Sequence, residues 1–223
     1  MFLFKKIFLS LFILSSFFAV IPEKGIAQMV GGAGILYVAP TPVGNTFDPA
    51  NKAAGITLSN GNLTATQASG GWVSAKGLTS YAITTEKRYY ELTFTSASAG
   101  NIIYGFGNAT ASVNNYCGSD ANGWGYYASV GWVLNNGSAI NFYATYTTGD
   151  VMMCAIDAAA GKIWFGKNGA WLSGNPATGT SPAASGLTGS LVPMISGQSA
   201  WSGTANFGAT TFTYPPPSGY TGY

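Results

Sequence analysis

Only 16 of the 223 residues carry charge, nine Lys or Arg against seven Asp or Glu, and histidine is absent. Coiled coils, long solvated helices and charged disordered tails are built from Glu, Lys and Arg, so this chain cannot be any of them. Beyond the N-terminal segment no run of ten residues sets a charged face against an apolar stripe at helical spacing, and helices are expected to be short. Its 31 glycines, with many Asn and Ser, instead divide it into short β-prone runs.

Those runs pair in sequence. Ile56-Thr57-Leu58 and Asn62 to Thr66 flank Asn60-Gly61, which supplies the positive φ angles of a two-residue primed turn. Arg88 to Thr95 alternates, with Tyr90, Leu92 and Phe94 on a core face and Tyr89, Glu91, Thr93 and Thr95 on a wetter one. Ile102 to Gly107 is nearly all apolar, and its glycines predict close approach of a backbone or ring. Gly123–Tyr127 and Gly131–Leu134 form a hairpin around Ser129-Val130. Asp150–Ile156 and Lys162–Gly166 form another around Asp157–Gly161, followed by an Asn168-Gly169 turn. Ser173 to Ser190 reads as a long surface loop, and Pro215-Pro216-Pro217 ends regular pairing. Turn signals every 8–12 residues or so predict an all-β fold, an antiparallel two-sheet β-sandwich.

The first 27 residues differ from the rest. Lys5-Lys6 precedes an apolar and Ser run from Ile7 to Ile21, then Pro22-Glu23-Lys24 and the small-residue end Gly25-Ile26-Ala27. That layout is a secretory signal, cleaved after Ala27. A retained membrane anchor is the alternative, although the run falls short of the ~20 residues a spanning helix needs; a start at Met29 is a third reading. The expected organisation is a signal over 1–27, an N-terminal extension over 28–46, the sandwich over 47–214 and a Pro/Gly-rich tail over 215–223. The destination is then secreted or at an extracellular surface.

Lys5, Lys6, Glu23 and Lys24 fall in the signal, leaving six charges of each sign in the remainder. A neutral body releases no counterions from phosphate backbones, so nucleic acid is not an expected partner. Without histidine, and with only Cys117 and Cys154, no zinc site or other cofactor is expected and Ser-His or Cys-His nucleophiles are excluded. Sequence leaves a Cys117–Cys154 disulfide open. A glycan hydrolase would need two carboxylates aimed at one bond. Glu86 and Glu91, five apart, point to opposite faces of one strand, and Asp150 and Asp157 look like turn residues, so catalysis is not expected.

The order Asp48-Pro49, Ile56–Gly61, Arg88–Leu92, Gly105-Phe106-Gly107, Gly118-Ser119-Asp120 and Gly123–Tyr126 resembles the SPRY domain. The likeness continues through Thr148–Val151, Ile156-Asp157, Gly161–Gly169, Val192-Pro193 and Asn206-Phe207-Gly208, covering roughly Phe47 to Tyr214. Asn175–Thr180 and the C-terminal Pro216–Tyr220 look most like the SPRY modules of phage and bacterial proteins. Met152-Met153-Cys154 departs from the smaller residues usual there. The resemblance implies a bent, concanavalin-like jelly-roll sandwich that recognises peptides or proteins through loops at one edge and uses none of its motif residues in catalysis.

Six Trp and 13 Tyr supply rigid anchors for such a role. Trp124 and Trp164 lie in strand motifs and are expected in the core. Trp171 follows the Asn168-Gly169 turn, Trp201 sits in a Gly/Ser-rich loop, and Trp132 opens a hairpin arm. Tyr116 and Asp120 flank Cys117-Gly118-Ser119 in a segment resembling the variable ligand-edge loop of SPRY domains. Tyr116, Asp120, Trp132, Trp171 and Trp201 are therefore the candidate ligand-binding residues. The expected partner is a protein or neutral glycan at a cell or virion surface, with no membrane contact after signal cleavage and with homo-oligomers possible. A structural or adhesive virion component, such as a tail-fibre or capsid decoration protein, is the alternative function.

Overall fold

Alternation of large apolar residues with small or polar ones makes each extended run two-faced, and two sheets bury those faces against each other. The computed structural model describes residues 44–97, 101–127 and 129–223. The signal segment and most of the N-terminal extension lie outside the described residues.

The first sheet has seven strands in the order β1 (Phe47–Lys52), β4 (Val73–Gly77), β14 (Leu191–Gly197), β6 (Ile102–Asn108), β7 (Gly123–Tyr127), β8 (Trp132–Asn135) and β9 (Ser138–Phe142). The second runs β12 (Ala170–Trp171), β11 (Lys162–Lys167), β10 (Val151–Asp157), β5 (Lys87–Ala97), β15 (Trp201–Asn206), β3 (Thr64–Gln67) and β2 (Ile56–Ser59). Two short strands complete it, β13 (Ala184–Ser185) beside β11 and β16 (Thr221–Gly222) beside β5. Every pairing is antiparallel except that of β16, which runs parallel to β5. The expected two-sheet sandwich is the observed one, and the helices described are single 3-10 turns at Thr79–Tyr81 and Pro176–Thr178.

Between the sheets lies a core of rings. Tyr104 meets Phe165, Tyr146, Tyr126 and Phe94 at centroid distances of 5.3, 5.6, 6.0 and 6.4 Å, all edge to face. Such pairs add about 0.5–1.5 kcal/mol each beyond area burial. Buried phenols need acceptors: Tyr90 donates to the Gly105 carbonyl at 2.9 Å, Tyr223 to Leu191 at 2.7 Å, and Tyr146 lies 3.0 Å from both the Ile102 and Tyr126 carbonyls. Trp124 and Trp164 are buried as expected. Cys117 and Cys154 are buried free thiols, pushed upward in pKa by burial.

Three local expectations change. The Asn60-Gly61 hairpin forms, but Ser59 pairs with Thr64, so its loop has four residues and Asn60, Gly61 and Asn62 all take positive φ. The second face of β5 is not wet at its start: Tyr89 and Glu91 are buried beneath the C-terminal segment, whose Phe212 ring stands 4.8 Å from Tyr89. The Glu91 carboxylate accepts the Thr213 and Tyr214 amides at 2.8 and 2.6 Å, and pairing resumes at β16 beyond the prolines. Within Ser173–Ser190 the chain is docked, not free. Trp164 donates to the Thr180 carbonyl at 2.9 Å, and Ala183, Ala184 and Leu187 are buried.

Candidate binding site on the outer face of the first sheet

Alternation puts Phe106, Trp124 and Tyr126 of β6 and β7 into the core, leaving Gly105, Gly107, Gly123 and Gly125 on the outer face. With no side chains there, a loop settles directly on the sheet. A Cβ on Gly125 would stand 2.3 Å from the Cys117 carbonyl oxygen, and one on Gly123 would stand 2.7 Å from the Gly118 nitrogen. The close approach predicted for the glycines of Ile102–Gly107 is met on β6 itself, where a Cβ on Gly105 would stand 2.0 Å from the Trp124 carbonyl oxygen.

Polar side chains of β4 and β14 fasten that loop. Lys76 donates to the Ala109 and Ala111 carbonyls at 3.0 and 2.9 Å, and the Ser74 amide donates to Val113 at 2.8 Å. The Ser74 and Ser196 hydroxyls lie 2.7 Å apart, and Ser196 accepts the Cys117 amide at 2.8 Å. Burial lowers the Lys76 pKa, against the raising influence of Asp120 and Asp48. The Asp120 carboxylate accepts the Asn122 and Ser112 amides at 2.8 and 3.3 Å, and its carbonyl accepts the Asn136 amide at 3.0 Å. Asp120 thus ties the loop to the β8–β9 turn.

The loop delivers Tyr116 to an aromatic cleft. Trp72, just before β4, meets Tyr116 and Tyr127 edge to face at 5.3 and 5.4 Å. Trp132, 39% exposed, packs edge to face at 6.1 Å on Phe142, which is 62% exposed. Trp72, Tyr116, Tyr127, Trp132, Ile103 and Leu134 line a shallow cleft of about 230 Å³. From Ala121 to Gly149 the sequence has no charged residue.

Of the five candidates, the structure brings Tyr116 and Trp132 to one cleft, with Asp120 behind them as a loop brace. Trp171 lies on the second sheet, partly buried 6.3 Å from Tyr89, and shares no site with them. Trp201 is not a surface residue: it opens β15, is 1% exposed, and donates to the Gln67 side chain at 2.7 Å. Gly197 makes room for it, since a Cβ there would stand 2.2 Å from the Trp201 indole nitrogen. Trp72 and Tyr127 are the members sequence reasoning missed. Tyr127 was findable, because its neighbour Tyr126 is a core residue and alternation turns the next side chain outward.

Residues 87–210, more than half of the chain, match the family model of the SPRY domain, and the chain belongs to that family. As a SPRY domain it is a protein-interaction module. The fold is similar to the crystal structure of the SPRY domain of human HERC1, with a TM-score of 0.56 and 23% identity, covering 71% of this chain and 96% of that one. No curated protein sequence matches the chain.

Proposed function

We propose that this chain is an exported, non-enzymatic recognition module that grips an uncharged, apolar segment of a partner protein in the cleft formed by Trp72, Tyr116, Tyr127 and Trp132. The observation that carries this reading is the convergence of four rings from separate chain segments on one uncharged outer face. Rigid aromatic anchors beside a braced loop are what a binding hot spot needs. The acidic groups favour binding over turnover. Asp48, Glu86, Asp120 and Asp150 each accept backbone amides of their own chain segments, Glu91 clamps the C-terminal segment, and Asp157 pairs with Lys87 at 3.1 Å. The basic, apolar and small-residue order of the first 27 residues supports export.

Peptide and glycan arrays probed with the wild-type chain and with Trp132→Ala and Tyr116→Ala test the site. Each truncation should weaken binding by at least tenfold, about 1.4 kcal/mol. Equal binding by both variants would remove the cleft from consideration. Signal confined to the glycan array would replace the peptide with a neutral sugar, which exposed rings beside Asn136 and Ser138 also suit.

A further inference from the structure

We infer that two copies of this chain pair through β9, edge to edge across a two-fold axis, joining their first sheets into one. Among the described residues β9 is the outermost strand of its sheet and pairs only with β8. An open edge offers unpaired backbone groups to any extended chain, and proteins blunt such edges with charge, proline, brevity or a bulge. The other described edges are guarded. β1 carries Asp48, Pro49 and Lys52; the Lys52 ammonium donates to the Ile56 carbonyl of β2 at 2.7 Å; β12 is two residues long.

Of these devices β9 has only the bulge. Its sequence, Ser138-Ala139-Ile140-Asn141-Phe142, holds no charge and no proline. Its one irregularity is a bulge: Leu134 pairs with Ala139 and Val133 with Asn141, leaving Ile140 between them. A bulge twists an edge and breaks its ladder locally, but this one carries no charge and presents an isoleucine that is 46% exposed. Val130, Trp132, Ile140 and Phe142, four of the five exposed large apolar residues described, cluster on or beside this hairpin.

Charge identifies the occupant. The edge belongs to a 29-residue stretch without a charged side chain, so its complement is an uncharged, β-prone, apolar strand. A second β9 has that composition, and the six positive and six negative charges outside the signal leave no net repulsion between copies. Antiparallel pairing about Ile140 sets Ser138 opposite Phe142, small against large, giving the self-complementary contact of a C2 dimer. The axis stands perpendicular to the sheet, so both aromatic clefts face the same side and a bivalent partner would gain avidity. The dimer does not depend on what the cleft binds.

Sedimentation velocity and light scattering of the full chain over a concentration series provide the test, with Ile140→Lys, Phe142→Lys and the control Thr57→Lys on β2. The expected result is a mass of twice the monomer for wild type and Thr57→Lys, and a monomer for both β9 variants with unchanged circular dichroism and melting temperature. A wild-type chain that stays monomeric throughout, a dimer that survives both β9 lysines, or one lost only in Thr57→Lys would each overturn the proposal.

Discussion

Ser196 faces away from the core on β14, yet it is fully buried, because the loop bearing Tyr116 lies over it. Its hydroxyl takes the Cys117 amide and meets Ser74, so Ser196→Ala leaves a buried N–H without an acceptor. That asymmetry costs about 1–3 kcal/mol, readable as a lowered urea midpoint with unchanged slope, and affinity at the cleft should fall with it. Gly125→Ala should cost at least as much. Its methyl group would meet the Cys117 carbonyl oxygen and Ile103 Cγ2 at 2.3 and 2.4 Å, and backbone has no rotamer by which to yield. A Gly125→Ala chain with wild-type stability would mean that the loop does not rest on the sheet. Sequence announces close approach at the glycines of Ile102–Gly107 but not at Gly125, nor does it announce the roles of Lys76 and Ser196, which by alternation alone read as ordinary solvent-facing residues.

At the level of elements, local turn chemistry was legible and long-range cover was not. Asn168-Gly169 joins Lys167 to Ala170 as a two-residue turn with both φ positive, whereas Asn60-Gly61 runs on into a third positive φ at Asn62 and widens to four residues. Sequence marks where a chain turns but not where its ladder resumes. The C-terminal segment shows the same limit. Nothing near Tyr89 and Glu91 signals that residues more than a hundred positions later will cover them, and from sequence residues 215–223 of this strap read as a tail. It packs Phe212, Tyr214 and Tyr220 against Tyr89, Met153 and Trp164, and Glu91 accepts two of its amides. Glu91→Gln weakens charge-assisted bonds worth about 1.5–3 kcal/mol in total effect. Removing residues 212–223 strips whole aromatic side chains at about 1.5–3 kcal/mol each. Against a total stability of about 5–15 kcal/mol, the truncated chain should melt far below wild type, with Glu91→Gln between them. Equal melting temperatures for all three would show the strap to be dispensable.

For the whole molecule, alternation and turn spacing revealed two facing sheets, but the cleft depends on Trp72, Tyr116, Tyr127 and Trp132 meeting on one outer face. Only the strand order decides that, and strand order is not written in any local window. Global titration follows from composition and burial together. With no histidine, and both thiols pushed upward by burial, the usual histidine step in stability between about pH 5 and 8 is missing. On the acid side, Asp150, partly desolvated but bonded to the Thr147 amide, Asn168 and Lys167, is held below the usual carboxylate range, as is Glu86 by the Thr85 and Thr84 amides. The folded chain keeps both ionised while the unfolded chain takes up protons near pH ~4, so stability falls as pH drops through that range. On the alkaline side the sign reverses. Burial raises Tyr90, Tyr104 and Tyr146 well above their ordinary value. The unfolded chain loses these protons from pH ~10 while the folded chain holds them, so stability declines as pH rises past that point. Tyrosinate absorbance followed alongside circular dichroism checks this. The buried phenols of Tyr90, Tyr104 and Tyr146 should ionise only as the β-sheet signal is lost. Complete ionisation of all 13 tyrosines with the sheet signal intact would mean that water reaches the ring cluster between the sheets, and that it is not the closed core which holds the two layers together.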